Sequence, residues 1–362
     1  MPYLPEPDPG ANAAGATPPP AAVVLINLGT PDAPTATAVR RYLAEFLSDP
    51  RVVELPRALW WPILHGVVLR TRPRRSAAKY ASIWTPAGSP LAVNTAQQAL
   101  LLRGYLGDRG DQVEVAWAMR YGSPSIASVL ATLRGRGIGR IVFVPLYPQY
   151  ASSTTGSTID AVHAVLARTR NVPEVRWVKH YHRHPGYIDA LRRSVLAFWR
   201  GREPGERLVM SFHGIPQQMV DRGDPYESEC RETAQSLATA LGLPPERWQV
   251  AFQSRLGRAR WLQPYTAATL VQLARQGTRR IDVICPGFSA DCLETLEEIE
   301  QEGREEFLAA GGTSFGYVPC LNDAPAFIAA LADLVEANLA GWPVRSAVVE
   351  TAPGRARLNP AA

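Results

Sequence analysis

Two stretches of the chain hold side chains whose types and spacing suit proton transfer or metal binding. In residues 211–216, SFHGIP, an apolar run ends at Phe212, and His213 stands where a strand opens into a loop. Imidazole serves as a base or as a metal ligand near neutral pH, and parallel sheets bind their ligands beyond the carboxyl ends of the strands. The bland alternative is a histidine that only hydrogen-bonds at a strand end. In residues 286–302, PGFSADCLETLEEIEQE, Asp291 stands where a helix should start, a favoured N-cap. Glu294, Glu298 and Glu302 then recur every four residues, so an α-helix puts them on one face, with Glu297 beside them. Such stacking costs roughly a few tenths of a kcal/mol per pair, and the helix dipole offsets part of it in the first turn. A solvated acidic face fits this pattern. So does a row of hard oxygen ligands that hands a divalent cation along the helix, and oxygen with imidazole suits Fe2+.

Residues 145–160, PLYPQYASSTTGSTID, follow an apolar run and carry many hydroxyls ahead of a helical pattern. They fit an anion site at a helix N-terminus and equally a capped helix start. The chain has no GxGxxG and no GxxxxGK[ST] loop, which argues against a nucleotide enzyme. It has no GxSxG nucleophile elbow either.

The elements that must position these groups follow from alternation along the chain. Apolar, β-rich runs at 22–28, 113–119, 140–146, 174–179, 206–212, 248–253 and 280–285 predict strands covered on both faces. Helical patterns lie between them at 35–47, 94–106, 124–134, 186–200, 226–241, 264–276, 292–309 and 324–339. This alternation implies an α/β fold with parallel sheets flanked by helices. The chain also resembles itself: VAWAMRYG at 115–122 matches VAFQSRLG at 250–257, and GIGRI at 137–141 matches GTRRI at 277–281. Two matches in the same order indicate a duplicated unit, hence two similar Rossmann-like domains with a cleft between them. The expected units are 21–183 and 184–342, with a disordered Pro, Ala and Gly tail at 1–20 and a flexible tail at 343–362.

Composition excludes several classes. The 362 residues are 46% hydrophobic, enough for two buried cores, and 20% charged. A net charge of +5 with scattered Lys and Arg does not indicate nucleic acid. No apolar run is long enough to span a bilayer, and the N-terminus lacks the pattern of a signal peptide. Cys230, Cys285, Cys292 and Cys320 form no CxxC pair, so free thiols in a reducing, cytoplasmic compartment are expected.

Seven stretches then carry a resemblance: LINLGTPDAP (25–34), GSPL (88–91), PLYPQYASSTTGST (145–158), SFHGIP (211–216), DRGDPY (221–226), RWLQPYT (260–266) and PGFSADCLETLEEI (286–299). In this order they resemble ferrochelatases over about residues 21–340. The resemblance implies two Rossmann-like domains with the porphyrin in the cleft between them. It implies an enzyme that inserts Fe2+ into protoporphyrin IX to give protohaem. Coproporphyrin or another tetrapyrrole is the neighbouring alternative, and a non-catalytic tetrapyrrole binder is the alternative of a different class. It implies that His213 faces the porphyrin centre, that Glu294 stands opposite, and that Glu298 and Glu302 form the acidic row behind, with all four as metal ligands. Arg120 and Tyr121 resemble the pair on the other porphyrin face, while Leu28, Trp261 and Phe288 resemble residues lining the cleft. No cofactor is required, and iron is a substrate. Where relatives with a 2Fe–2S cluster hold a cysteine this chain has Ser152, and residues 343–362 contain no cysteine, so no cluster is expected. Cys292 stands where some relatives have histidine, and it reads either as a soft metal contact or as a buried, inert thiol.

Residues 55–75, LPRALWWPILHGVVLRTRPRR, place Leu55, Leu59, Trp60, Ile63, Leu64, Val67 and Val68 at helical spacing ahead of Arg70, Arg72, Arg74 and Arg75. Adjacent Trp60 and Trp61 are of the type enriched at lipid headgroups, and the resemblance makes this segment a lip over the cleft mouth. Peripheral contact with the inner face of the cell membrane is one expectation. A core helix covering the sheet is the other.

Overall fold

Eight strands, most of them apolar runs buried on both faces, form two parallel sheets. β1 (Ala21–Gly29), β2 (Val113–Tyr121), β3 (Arg140–Pro145) and β4 (Glu174–Trp177) lie in the order β2-β1-β3-β4. β5 (Arg207–His213), β6 (Trp248–Gln253), β7 (Arg280–Ile284) and β8 (Ser314–Val318) repeat that order as β6-β5-β7-β8. The computed structural model describes residues 3–5, 21–255, 257 and 259–344. Most of the two expected tails, residues 6–20 and 345–362, lies outside the described residues. Residues 3–5 lie against the first half, where the Leu4 amide donates to the Arg168 carbonyl at 2.8 Å.

The two internal matches fall on equivalent places. Residues 115–121 of the first match lie in β2 and residues 250–253 of its counterpart in β6, while GIGRI and GTRRI lead into β3 and β7. A similar contact follows each strand across loops of different length: the Met119 amide donates to the Pro124 carbonyl at 2.7 Å, and the Phe252 amide to the Pro264 carbonyl at 2.8 Å.

Strand alternation distributes the core. Ala21, Val23 and Leu25 of β1, with Leu208, Met210 and Phe212 of β5, face a single core shared by both sheets. Helices Pro90–Asp108, Pro185–Trp199, Tyr226–Leu241 and Pro325–Leu339 contribute to it. Each large apolar side chain fully buried there contributes roughly 1.5–3 kcal/mol. Ala22, Val24 and Ile26 turn the other way, onto helices Ile126–Gly135 and Ser157–Leu166. Val209 turns toward helix Thr266–Arg275 and residues 299–307. By this parity His213 leaves β5 on the side of Val209.

Two elements depart from expectation. β8 was not anticipated because Ser314 and Gly316 interrupt its apolar run. Gly316 is required by close approach: a Cβ there would stand 2.1 Å from Oδ1 of Asp282. That carboxylate is buried and accepts from Trp199 Nε1 and the Gly205 amide, each at 2.7 Å. Residues 55–83 form helix Arg57–Ile63, a π-helical turn Leu64–Val68 and helix Leu69–Ile83, with Pro62 inside the first. Leu64 is buried, and Trp60 Nε1 donates to the Leu47 carbonyl at 2.6 Å. Leu55, Leu59, Trp61, Ile63 and Val67 are instead exposed, so the apolar residues of this segment divide between an inner and an outer face. Among the described residues no helix is long and apolar enough to cross a membrane.

Candidate active site

His213 is the last residue of β5, half-buried, with Nδ1 2.6 Å from the Gly214 carbonyl oxygen. Its ring centroid lies 6.4 Å from that of Trp261 and 6.5 Å from that of Phe288. Gly214 lets the chain turn here: its amide donates to the Gln253 carbonyl at 2.8 Å, and a Cβ would stand 2.9 Å from that oxygen. Gln253 pairs with His213 in the β5–β6 register. Its side chain accepts from Ser211 Oγ at 2.7 Å and donates to the main-chain oxygen of Glu294 at 2.6 Å. The strand that ends in His213 and the segment that carries Glu294 are thus tied through one amide.

The acidic segment is helical, but not the α-helix that a four-residue spacing predicts. A short α-turn, Leu293–Thr295, runs into a π-helix, Leu296–Gly303, and then into helix Arg304–Ala309. π-Helical turns occur frequently at functional sites. The cap also differs by one residue. Cys292 is the N-cap, in a reciprocal box with Thr295. Asp291 is buried and accepts from Tyr317 and from Asn322 Nδ2, the latter at 2.7 Å.

The glutamates have three different surroundings. Glu298 accepts from the Ser254 amide at 2.7 Å and from the Ser254 hydroxyl. Burial pushes its carboxyl above the ordinary range and nearby Glu294 adds to this, against the pull of Ser254 and the His213 charge. Glu294 is half-buried, and its charge helps raise the buried hydroxyls of Tyr42 and Tyr80, for which burial is the main cause. Glu302 is exposed and is bound by Lys79 Nζ at 2.8 Å, which also holds the buried Glu297 at 2.7 Å. Of the expected row, Glu298 feels the charges of both His213 and Glu294, while Glu302 faces the rim and helix Leu69–Ile83.

Arg120 and Tyr121 end β2 around a group that sequence reasoning missed. Asp49 Oδ2 accepts from Arg120 Nη2 at 2.5 Å, from the Tyr121 hydroxyl at 2.8 Å and from Ser157 Oγ at 2.6 Å. Burial raises the Asp49 carboxyl, but the bonds from Ser157, the Arg51 amide and Tyr121, with the Arg120 charge, outweigh it and hold it below the usual range. Tyr121 is fully buried, so its ring presents no open face, while Arg120 keeps partial exposure. Phe46 stacks edge-on to Tyr121 at 5.1 Å and lies 6.0 Å from Tyr42. Since Tyr42 senses both Tyr121 and Glu294, the two halves of the candidate site meet across helix Ala36–Leu47.

Leu28 and Trp261 are half-buried, and Trp261 Nε1 has no hydrogen-bond partner among the described residues. Phe288 packs between Leu91 and Cys292. All four thiols are buried and free, and burial pushes each well up, an environment for inert cysteines. Gln253 and Ser254 were overlooked although both sit at a strand's carboxyl end beside His213. Asp49 lay in SDP, which reads only as a turn after a helix.

A family model described as Ferrochelatase matches residues 20–339. A ferrochelatase of Methylibium petroleiphilum is 60% identical over 338 residues, covering 93% of this chain and 92% of that protein. One of Polaromonas sp. is 59% identical over 325 residues, 90% and 89% of the two chains. Among solved structures, SirB from Bacillus subtilis with Fe3+ aligns with a TM-score of 0.50 at 13% identity, over 88% of this chain and 96% of that one. The sirohydrochlorin chelatase SirB from Bacillus subtilis subspecies spizizenii in complex with cobalt aligns at 0.51 and 11% identity, over 90% and 98%. That likeness concerns the fold, and it agrees with the two four-stranded sheets of a chelatase. The match over nearly the whole chain and the identity to these relatives establish that the chain belongs to the ferrochelatase family, enzymes that insert iron into a porphyrin in haem synthesis.

Proposed function

We propose that this chain inserts Fe2+ into protoporphyrin IX with His213, Glu294 and Glu298 facing the centre of the macrocycle. The observation that carries this reading is the gathering of the His213 strand end and two carboxylates, one of them oriented by Ser254. A free porphyrin holds two pyrrole protons that must leave before Fe2+ sits among four nitrogens. A flat ring keeps its lone pairs in plane, and bending it exposes them to the metal, so binding energy spent on distortion favours the transition state. The site therefore needs a base, a second proton acceptor and a transient metal ligand. Imidazole and two carboxylates supply all three.

On this reading Glu302, at the rim beside Lys79, receives the incoming cation, and Glu298 passes it inward. Arg120 addresses the opposite porphyrin face, and Tyr121 acts as a positioning residue that fixes Asp49 beneath it. Leu28, Trp261 and Phe288 line the macrocycle. We read 21–183 and 184–342 as the two functional units. We read no 2Fe–2S cluster into this reaction, because Ser152 offers a hydroxyl where the cluster-bearing relatives hold a cysteine and residues 343–362 contain no cysteine. The enzyme works in the cytoplasm with residues 55–75 resting on the inner leaflet, a reading supported by the exposed Leu59, Trp61 and Val67 ahead of the exposed Arg70, Arg72, Arg74 and Arg75. Anaerobic incubation with Fe2+ and either protoporphyrin IX or coproporphyrin, followed by the Soret band, tests the substrate. Faster metallation of protoporphyrin IX is expected, and preference for coproporphyrin would overturn the choice.

A further inference from the structure

Away from His213, where the chain leaves the first sheet, two histidines converge on one buried carboxylate. His180 Nδ1 lies 2.7 Å from Glu229 Oε1, and His182 Nδ1 lies 3.3 Å from Glu229 Oε2. Glu229 and His182 are each 93% buried or slightly more, with 6% and 7% exposure, while His180 is open to solvent. Glu229 Oε2 is further oriented by the Tyr150 amide at 2.7 Å. Its ion-pair partners among the described residues are these two imidazoles, with no Lys or Arg.

The lone-pair arithmetic at His182 is unusual. Nε2 lies 3.1 Å from Glu232 Oε2, and Nδ1, facing Glu229, makes no aligned hydrogen bond. A neutral imidazole has one N–H, so with Nε2–H donated to Glu232 the bare Nδ1 lone pair points at a second carboxylate. The other tautomer only moves the conflict to Glu232. A positive charge in the gap, a proton or a metal ion, resolves it. A carboxylate holding the far nitrogen of a histidine is also the usual support of a metal-ligating imidazole.

We propose that His180 Nδ1, His182 Nδ1 and Glu229 form a binding site for a first-row divalent cation of the Zn2+ or Co2+ type, with Glu232 as the positioning residue for His182. The candidate ligand atoms all lie within 4.8 Å of one another. Ligand atoms around a tetrahedral ion with bonds near 2.0–2.1 Å stand about 3.3 Å apart, so small side-chain shifts complete the site. Two nitrogens and one oxygen suit Zn2+ and Co2+ and leave one position for water. The ion ties helix Tyr226–Leu241 to residues 180–182 and, through Glu229, to Tyr150.

The test is a Co2+ titration followed by visible absorption, on tag-free protein without porphyrin. His213→Ala serves as the background, so that the imidazole of the insertion site is absent. This chain is expected to bind one Co2+ with a ligand-field band. Adding His180→Ala, a change at a solvent-exposed side chain, is expected to weaken binding by about tenfold or more. Glu232→Gln, which leaves all three ligands in place, is expected to weaken it in the same direction by roughly 10–100-fold. Circular dichroism checks each fold, and Glu232→Gln carries the test if His180→Ala unfolds. No band in the His213→Ala chain, or equal affinity in the folded variants, would overturn the site.

Discussion

Ser254 holds Glu298 by both ends of its carboxylate, the amide donating to Oε1 at 2.7 Å and the hydroxyl to Oε2. To do so Ser254 adopts a left-handed backbone with φ of 66° just past the end of β6, a conformation uncommon for a residue with a side chain. The result is a carboxylate fixed toward His213 although burial disfavours its charge. Ser254→Ala removes the hydroxyl donor and keeps the amide. It is expected to lower kcat by about tenfold, the equivalent of one charge-assisted hydrogen bond of about 1.5 kcal/mol. An unchanged kcat in steady-state metallation would show that this orientation is not needed.

Glu294 and Glu302 are expected to fail differently. On the proposed reading, Glu294→Gln removes a charge and a proton acceptor beside the porphyrin centre and should chiefly lower kcat. Glu302 lies at the rim on Lys79, so Glu302→Gln should chiefly raise the apparent KM for Fe2+, by a few-fold. If both variants changed the same parameter equally, the division between chemistry and metal supply would be wrong.

Asp49 gives a pH signature. Its folded carboxyl is held below the usual value, so its contribution to stability is full above the unfolded value of about 3.9 and is lost as pH falls through the lower folded value. Asp49→Asn should therefore destabilise the protein at neutral pH, on the order of 1.5–3 kcal/mol for its charge-assisted hydrogen bond from the partly buried Arg120. The gap to the parent should narrow only below about pH 4. Urea unfolding at several pH values measures it, and a gap independent of pH down to the acid transition contradicts this role.

The lip divides its two tryptophans. Trp61 is 50% exposed and Leu59 64%, so Leu59→Ser with Trp61→Ser should leave unfolding unchanged while weakening flotation with anionic vesicles at low salt. Each nearby arginine adds on the order of 1 kcal/mol to that association. Trp60→Ser should instead destabilise the fold, because its indole donates to the Leu47 carbonyl. Absence of flotation by the parent chain would remove the membrane from the account.

Most of the strands were legible because burial on both faces forces continuous apolar runs, although β4, EVRW, is an edge strand with no buried residue, and the internal repeat located two equivalent sheets. β8 escaped because Gly316 answers to Asp282, a contact between residues distant in sequence. The same limit applied at the site. His213 and Glu294 stand at the end of an apolar run and the start of a helical one, which local pattern exposes. Gln253, Ser254, Asp49 and Lys79 matter through partners 41, 44, 72 and 223 residues away, and no local periodicity announces such pairs. The π-helical turn was hidden likewise, since a spacing of four reads as an α-helix.

His213 is expected to take direct part in metal insertion. Its side chain ends a strand and is half-buried, so His213→Ala should retain the fold by circular dichroism and thermal unfolding. The decisive measurement is the Soret change when the folded His213→Ala protein is incubated anaerobically with Fe2+ and protoporphyrin IX beside the parent chain. The parent is expected to convert the porphyrin and the variant to show no conversion above the uncatalysed background. Near-parental conversion by a folded His213→Ala protein would contradict the account.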